Sequence, residues 1–159
     1  MGDNPGSLLL VVDADILGVA GHSEGHASNL RDVLQTILTV CHRVLLSEEA
    51  RSEWDRHASR FARTWWTAMS SRGKIRPVTL QLASHVEALA GCGLPPERLP
   101  NLNKDLHLVV AALEYGDRIV ISNDKRAAGG FSELARAIPA YGGVAWWDSN
   151  HPIPPRLSS

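Results

Sequence analysis

The stretch Leu8-Leu9-Leu10-Val11-Val12-Asp13 contains five consecutive aliphatic residues and then stops abruptly at a carboxylate. A short segment that is apolar at every position is typical of a strand buried on both faces, and such strands occur mostly in parallel sheets of α/β proteins. The segment is far shorter than the ~20 residues of a membrane helix, and it lacks the preceding Lys or Arg of a signal peptide. We therefore predict that it is the first strand of an α/β domain.

Strand-like and helix-like segments alternate along the rest of the chain. Further strand candidates lie at residues 44–46, 77–79, 119–121 and 144–146, and the spacing of apolar residues predicts helices at 28–41, 48–70, 80–89, 105–115 and 131–138. This alternation indicates an α/β fold with a central, mostly parallel sheet of four to five strands. We predict one domain over residues 1–150, followed by a loosely ordered, proline-containing tail over 151–159.

The composition excludes several classes of protein. With 159 residues, 44% of them hydrophobic and 21% charged, the chain has the make-up of one globular domain. A net charge of −1 excludes a globally basic nucleic-acid binder, so any site for a polyanion must be a local patch. Cys41 and Cys92 belong to no CxxC motif, which argues against a disulfide scaffold or zinc site and favours a reducing cytoplasm. His22 and His26 have the spacing of helical metal ligands, but two neighbouring glycines argue against a helix there.

Four carboxylates are placed where the predicted topology brings them to one edge of the sheet. Asp13 follows the first strand, and Asp124 follows the strand at 119–121. Asp105 opens the helix before that strand, and Glu53 lies one to two turns into another helix. Clustered carboxylates with no basic residue fixed among them repel one another, and a hard cation such as Mg²⁺ or Mn²⁺ removes that conflict. Taken singly, each acid is better explained as a turn former, helix cap or solvated charge, so the prediction depends on their combination.

Several segments resemble the motifs of PIN-domain ribonucleases. Residues 11–17, Val-Val-Asp-Ala-Asp-Ile-Leu, look like the opening of that family, which usually reads apolar-apolar-Asp-Thr/Ser-Asn-apolar-apolar. Residues 46–54 are similar to its second motif, in which a Ser after a strand is followed six residues later by an acid. Residues 105–112 and 119–124 are similar to its third and fourth motifs run together. The resemblance covers the chain from residue 8 to about residue 146.

The resemblance implies a three-layer α/β/α sandwich and an endoribonuclease that depends on Mg²⁺ or Mn²⁺. Ser122 would orient a carboxylate or a water molecule, and Asp15 would support the site in place of the family's usual Asn. Many small prokaryotic members are toxins neutralised by a separate antitoxin, so an antitoxin is a candidate partner besides RNA. A homodimer is a further candidate assembly, and no membrane partner is expected. The residues assigned as catalytic residues and metal ligands are Asp13, Glu53, Asp105 and Asp124.

Two other functions stay open at this point. Asp13-Ala-Asp15 after an apolar strand is also how haloacid-dehalogenase-type phosphatases begin, with the first Asp as nucleophile and the second as acid/base. Against that function, Leu17 replaces their usual Thr or Val, and neither Glu53 nor Asp105 has a role in their reaction. The other alternative is a non-catalytic PIN-like domain that binds RNA or a protein partner. The complete set of four acids argues against it.

A basic stretch with interleaved aromatic residues surrounds and follows Glu53. Between residues 51 and 74 it contains six Lys or Arg and four Trp or Phe. We interpret most of the aromatic residues as core, packed against the sheet from an amphipathic helix. One or two of the arginines are expected to contact RNA phosphates. The candidates are Arg56, Arg60 and Arg63.

Overall fold

An all-parallel sheet of five strands forms the centre of the protein in the computed structural model, which describes residues 6–20 and 25–158. The strands are β1 (Leu9–Val12), β2 (Arg43–Ser47), β3 (Ile75–Val78), β4 (Ile119–Ile121) and β5 (Ala145–Trp147). Their order across the sheet is β3-β2-β1-β4-β5, and each neighbouring pair is parallel. This confirms the predicted α/β class with a mostly parallel sheet of four to five strands.

Helices cover both faces of this sheet. They are α1 (Ala14–Val19), α2 (Gly25–Thr39), α3 (Glu48–His57), α4 (Arg60–Ser71), α5 (Ala83–Ala90), α6 (Leu99–Tyr115), α7 (Lys125–Ala137) and α8 (Pro155–Ser158). Leu10 and Val12 of β1 belong to a core shared with α1–α4, whereas Val11 belongs to a second core shared with α5–α7. An apolar residue at every position of β1 therefore fits burial on both faces, and the predicted three-layer α/β/α sandwich is confirmed. Within the two described ranges, no helix is both long and apolar enough to cross a membrane.

The helix predicted over residues 48–70 is two helices, so that prediction is wrong. The chain leaves α3 at Ala58, whose backbone is extended, and α4 starts after Ser59. The Ser59 hydroxyl accepts a hydrogen bond from the N–H of Ala62 at 3.2 Å, and the Ser59 N–H donates to the carbonyl of Leu17 at 3.1 Å. The break is therefore a capped turn that is held against α1. Serine is a preferred residue immediately before a helix, so Ser59 indicates the start of α4. The apolar spacing continues across this position and predicted one uninterrupted helix instead.

The tryptophans of this region pack in the core, as the sequence suggested. Trp54 and Trp65 are buried, and their ring centroids lie 5.9 Å apart. Trp54 Nε1 donates to the carbonyl of Val12 at 3.0 Å, and Trp65 Nε1 donates to the carbonyl of Leu34 at 2.7 Å. These bonds tie α3 to β1 and α4 to α2. The interpretation of these two aromatic residues as core is confirmed.

Two of the six basic residues have a structural role at the end of α2. Lys74 Nζ donates to the carbonyl of Leu38 at 2.8 Å and also contacts the carbonyls of Ile37 and Val40. Arg72 Nη1 donates to the same Leu38 carbonyl at 3.0 Å. Cations are favoured at a helix C-terminus, where the last carbonyls lack partners within the helix. These two side chains are therefore engaged in holding the fold together.

The tail, which we predict to be loosely ordered, is docked over residues 151–158. It ends in the short helix α8, whose Leu157 is 1% exposed and belongs to the core beneath α2. A nitrogen of the buried His42 ring, Nε2, lies 3.1 Å from the carbonyl oxygen of Leu157. Trp147 Nε1 donates to the carbonyl of Pro152 at 2.9 Å. Burial of Leu157 and these hydrogen bonds hold the tail against the rest of the domain. The prolines, which suggested a loosely ordered end, do not prevent this docking.

Candidate functional site

The sheet has a topological switch point between β1 and β4, because the chain adds β2 and β3 on one side of β1 and β4 on the other. Ligands of open α/β sheets bind at such a point, outside the carboxyl ends of the strands. Asp13 directly follows β1, and Ser122 directly follows β4. The buried Ser122 Oγ donates to Asp13 Oδ2 at 2.8 Å and accepts from the N–H of Asp124 at 3.0 Å. One hydroxyl thus joins the two strand ends.

A cavity of about 480 Å³ opens at this edge of the sheet, and we call it the acidic cavity. Its walls come from the first turns after β1 and β4 and from α3 and α6. The four predicted acids and Asp15 all belong to its lining. The full lining consists of Asp13, Ala14, Asp15, Gly18, Val19, Glu53, His57, Lys104, Asp105, His107 and Asp124.

Asp13 and Asp105 are the acids with the least evident structural role. Asp13 occupies the position before α1, but its side chain makes no capping hydrogen bond. Burial raises the pKa of Asp13, although its hydrogen bond from Ser122 opposes that effect. Burial also raises the pKa of Asp105 to about 6, and the charges of Asp13 and Asp124 add to the rise. Neither residue is explained by helix capping.

The prediction that Asp105 opens its helix is wrong. Helix α6 begins at Leu99, so Asp105 lies in its second turn. The earlier start follows from Pro100, which suits the first turn of a helix because its missing N–H needs no partner there. A residue in the second turn is beyond the region where the helix dipole favours an acid most strongly. The dipole explanation for Asp105 is correspondingly weak.

Asp124 and Asp15 each make a hydrogen bond that fixes one carboxylate oxygen. Asp124 Oδ1 accepts from the N–H of Ala127 at 2.9 Å, so this residue caps α7 as well as lining the cavity. Asp15 Oδ2 accepts from the N–H of Asn123 at 3.1 Å. Its other oxygen, Oδ1, is buried and has no partner within the described residues. Burial and the charge of Asp13 raise the pKa of Asp15 to about 7.

Basic residues also lie at the cavity, so the expectation that no basic residue is fixed among the acids is wrong. Glu53 is 34% exposed and pairs with Arg56, and its Oε2 lies 3.4 Å from His57 Nε2. Lys104 and His107 belong to the lining of the cavity. His107 is 9% exposed, and burial lowers its pKa. The i, i+4 spacing of Glu53 and His57 was a readable signal for their pairing.

The three arginines proposed for RNA binding have different surroundings. Arg56 pairs with Glu53 at the cavity, and Arg63 Nη2 donates to the backbone carbonyl of Asp55 at 2.6 Å. Arg60 is the first residue of α4 and is exposed. Arg56 therefore lies beside a residue of the cavity lining, whereas Arg60 and Arg63 lie on α4, which contributes no residue to that lining.

The histidine pair noted in the sequence falls largely outside what the structure describes. His22 lies outside the described residues, and so does the side chain of His26. The backbone of His26 belongs to α2, which begins at Gly25. The helix therefore starts three residues earlier than the predicted start at residue 28.

The donor set of the acidic cavity has the chemistry of a site for a hard divalent cation. Carboxylate oxygens are the ligands that Mg²⁺ and Mn²⁺ prefer. Burial raises the pKa of Asp13, Asp15 and Asp105, and a bound cation offsets the cost of ionising them. Among the side chains that the structure describes, however, no three of Asp, Glu, His or Cys are arranged so that they could hold a metal ion as they stand. Glu53 is engaged in ion pairs and Asp124 in a helix cap, so binding requires the carboxylates to rotate towards one another.

Comparisons with known proteins give no assignment. No family model, curated protein or solved structure matches the chain. A function for the acidic cavity must therefore come from its residues and their geometry.

We predict that Asp15→Asn stabilises the cation-free protein more at pH 8 than at pH 5. Because the pKa of Asp15 rises from 3.8 to about 7 on folding, the native state binds this proton more tightly than the unfolded state. Stability is therefore lost as the pH rises from about 4 to about 7, and the amide, which does not ionise, avoids that loss. The gain in Tm over wild type should be at least about 2 °C larger at pH 8, since 1 kcal/mol corresponds to about 2–4 °C in a chain of this size.

The measurement is thermal unfolding in EDTA at both pH values. Asp55→Asn is the matched control, because Asp55 is exposed on α3 and does not line the cavity. It should change Tm little at either pH. A gain in Tm from Asp15→Asn that is equal at the two pH values, or smaller at pH 8, would contradict the prediction.

Proposed function

We propose that the chain is a PIN-like endoribonuclease that cleaves RNA phosphodiester bonds with Mg²⁺ or Mn²⁺. The observation that carries the proposal is the convergence of Asp13, Glu53, Asp105 and Asp124 in one cavity at the switch point of the sheet. They come from four separate parts of the chain. Buried carboxylates that raise one another's pKa are costly to the fold, and such groups are concentrated at functional sites.

Several polar residues in and beside the cavity have a place in this chemistry. When bound, a divalent cation supplies Lewis-acid chemistry that lowers the pKa of water and offsets the negative charge of a phosphodiester. Ser122 holds the Asp13 carboxylate through its 2.8 Å hydrogen bond. Lys104 is exposed in the lining and attracts the phosphate backbone. Asp105, with its raised pKa, is suited to accept a proton near neutral pH. The residues that would hold the cation are Asp13, Glu53, Asp105 and Asp124.

A haloacid-dehalogenase-type phosphatase is the second candidate, and one observation favours it. The pKa of Asp15 is raised to about 7, which suits an acid/base group two residues after a nucleophilic Asp13. Against it, Glu53 and Asp105 line the same cavity and have no role in that reaction. The nuclease proposal gives all of these acids a role and is therefore preferred.

Incubation of the purified protein with single-stranded RNA tests the proposal. We expect internal cleavage of the RNA with Mn²⁺ or Mg²⁺ and none with EDTA. A phosphomonoester such as para-nitrophenyl phosphate should be left intact under the same conditions. Hydrolysis of the phosphomonoester without RNA cleavage would support the phosphatase instead, and RNA binding without any cleavage would support a non-catalytic domain.

The family resemblance extends the proposal to a biological setting. We propose that the protein acts in the cytoplasm, alone or as a homodimer, as the toxin of a toxin–antitoxin pair. Cys41 and Cys92 are free thiols, which is compatible with a reducing compartment. A small gene overlapping this one, whose product binds the protein and blocks RNA cleavage, would support that role.

We predict that joint replacement of Arg56, Arg60 and Arg63 by Ala weakens the binding of single-stranded RNA similarly across sequences. Side chains that bind phosphates release counterions and carry no sequence information. The slope of log affinity against log salt concentration should shrink by about 0.7 for each phosphate that the variant no longer binds. Binding is measured in EDTA, which prevents cleavage, at several salt concentrations.

Arg136→Ala is the control for this change in charge. Arg136 is exposed in the last turn of α7, at the opposite end of that helix from the cavity. Its replacement should leave the salt slope as it is. An unchanged slope in the triple variant would show that none of the three side chains binds an RNA phosphate.

A further inference from the structure

Two buried side-chain atoms lack a hydrogen-bond partner within the part of the chain that the structure describes, and both belong to residues that line the acidic cavity. They are Asp15 Oδ1 and His107 Nδ1. Buried polar atoms in folded proteins are nearly always paired, so each exception requires an explanation. Because both exceptions fall in one cavity, a single ligand that serves both atoms is the simplest explanation.

Both atoms carry a lone pair when the proton of the neutral His107 ring is on Nε2. An ionised carboxylate has only acceptor oxygens, and Asp15 already uses Oδ2 to accept from the N–H of Asn123. His107 is only 9% exposed, and a neutral imidazole keeps a lone pair on one of its two ring nitrogens. A cation accepts lone pairs from both kinds of atom. The same cavity is lined by the carboxylate residues Asp13, Glu53, Asp105 and Asp124.

We propose that Asp15 and His107 are additional ligands of the cation in the acidic cavity, and that the resulting oxygen–nitrogen donor set makes the cavity prefer Mn²⁺ to Mg²⁺. This inference rests on the metal dependence of the proposed function. Mg²⁺ takes oxygen ligands and gives up its water reluctantly, whereas imidazole suits transition-metal ions. His107 therefore sets the preference of the cavity for Mn²⁺ over Mg²⁺. The negative charge of Asp15 favours the binding of both ions.

The assignment separates the roles of the two residues. Loss of the His107 imidazole should weaken Mn²⁺ binding and leave Mg²⁺ binding nearly unchanged. Loss of the Asp15 charge should weaken the binding of both ions by a similar factor. Asp15→Asn retains an oxygen that can accept from the Asn123 N–H, so the variant changes the charge while it preserves the local hydrogen bond.

The test uses protein without an affinity tag and the two metal ions alone. Isothermal titration with MnCl₂ and with MgCl₂ gives the two affinities for wild type, His107→Gln and Asp15→Asn. We expect wild type to bind Mn²⁺ at least about 10-fold more tightly than Mg²⁺, and His107→Gln to lose about 10-fold in Mn²⁺ affinity only. His151→Gln is the control, because His151 is exposed in the tail and lies outside the cavity lining. The His151→Gln variant should bind Mn²⁺ and Mg²⁺ with the affinities of wild type.

Pulsed electron paramagnetic resonance of wild type loaded with Mn²⁺ gives a readout that needs no variant. Coupling of the manganese spin to a directly bound ¹⁴N is expected in wild type and should disappear in His107→Gln. Absence of that coupling in wild type, or an unchanged Mn²⁺-to-Mg²⁺ affinity ratio in a folded His107→Gln, would overturn the proposal.

The outcomes also distinguish this inference from the proposed function. RNA cleavage with Mn²⁺ but without nitrogen coupling would overturn the inference and leave the nuclease standing. Nitrogen coupling without RNA cleavage would support the inference and overturn the nuclease. Failure of both ions to bind would overturn both.

Discussion

Glu53→Gln is expected to lower the rate of RNA cleavage by about 100-fold or more. The substitution removes a negative charge from the acidic cavity and preserves the size of the side chain. Glu53 is 34% exposed, so folding should be little affected. Glu53 is one of the residues that would hold the cation, whose Lewis-acid chemistry is worth several kcal/mol in the transition state, and about 1.4 kcal/mol corresponds to a 10-fold change in rate. The measurement is the initial rate of cleavage of single-stranded RNA at saturating Mn²⁺.

Asp55→Asn is the matched control for that experiment. Asp55 lies on the same helix, is exposed and does not line the cavity, so loss of its charge should leave the cleavage rate within about 2-fold of wild type. A rate equally unaffected in Glu53→Gln would contradict the assignment of Glu53 to the site. Retained phosphomonoester hydrolysis in Glu53→Gln, together with its loss in Asp15→Asn, would identify the phosphatase.

The fold could be predicted where one local pattern dominates. The five aliphatic residues before Asp13 admit little besides a strand buried on both faces, and the structure places that strand in the middle of the sheet. The break between α3 and α4 was missed because the apolar spacing continues across it, although Ser59 carries the capping signal. The docking of Leu157 could not be predicted, because no residue of the tail itself indicates that Leu157 packs into the core together with α2.

The site could be predicted where its residues follow strands. Asp13 and Asp124 stand at the ends of parallel strands, and topology alone carries both to one edge of the sheet. His107 is different, because it follows Asp105 by two residues and points ~200° away from it around an ideal helix. Only the packing of α6 among neighbouring elements brings both side chains into one cavity. The ion pair of Glu53 with Arg56 likewise depends on rotamers that a sequence does not specify.

Mn²⁺ is expected to raise the melting temperature of the wild-type protein by about 5–10 °C. In the cation-free protein, burial raises the pKa of Asp13 and of Asp105, and the charge of Asp124 adds to both rises. A cation relieves that repulsion only in the folded state. At 100 times its dissociation constant a ligand contributes about 2.7 kcal/mol to the free energy of unfolding. Each kcal/mol corresponds to about 2–4 °C for a chain of this size.

Asp13→Asn and Asp124→Asn show whether repulsion among the acids is the cause. In EDTA both variants should melt no lower than wild type, because each removes one repelling charge and keeps an acceptor oxygen for its structural hydrogen bond. Asn is as good an N-cap as Asp, so the bond from Ala127 to residue 124 should survive. Both variants should then gain much less than wild type from Mn²⁺. If these acids served only as caps or ion-pair partners, their replacement would lower Tm in EDTA, and Mn²⁺ would leave all three proteins unchanged. Thermal scans of the three proteins, each with EDTA and with Mn²⁺, separate the two explanations because the predicted shifts in EDTA have opposite signs.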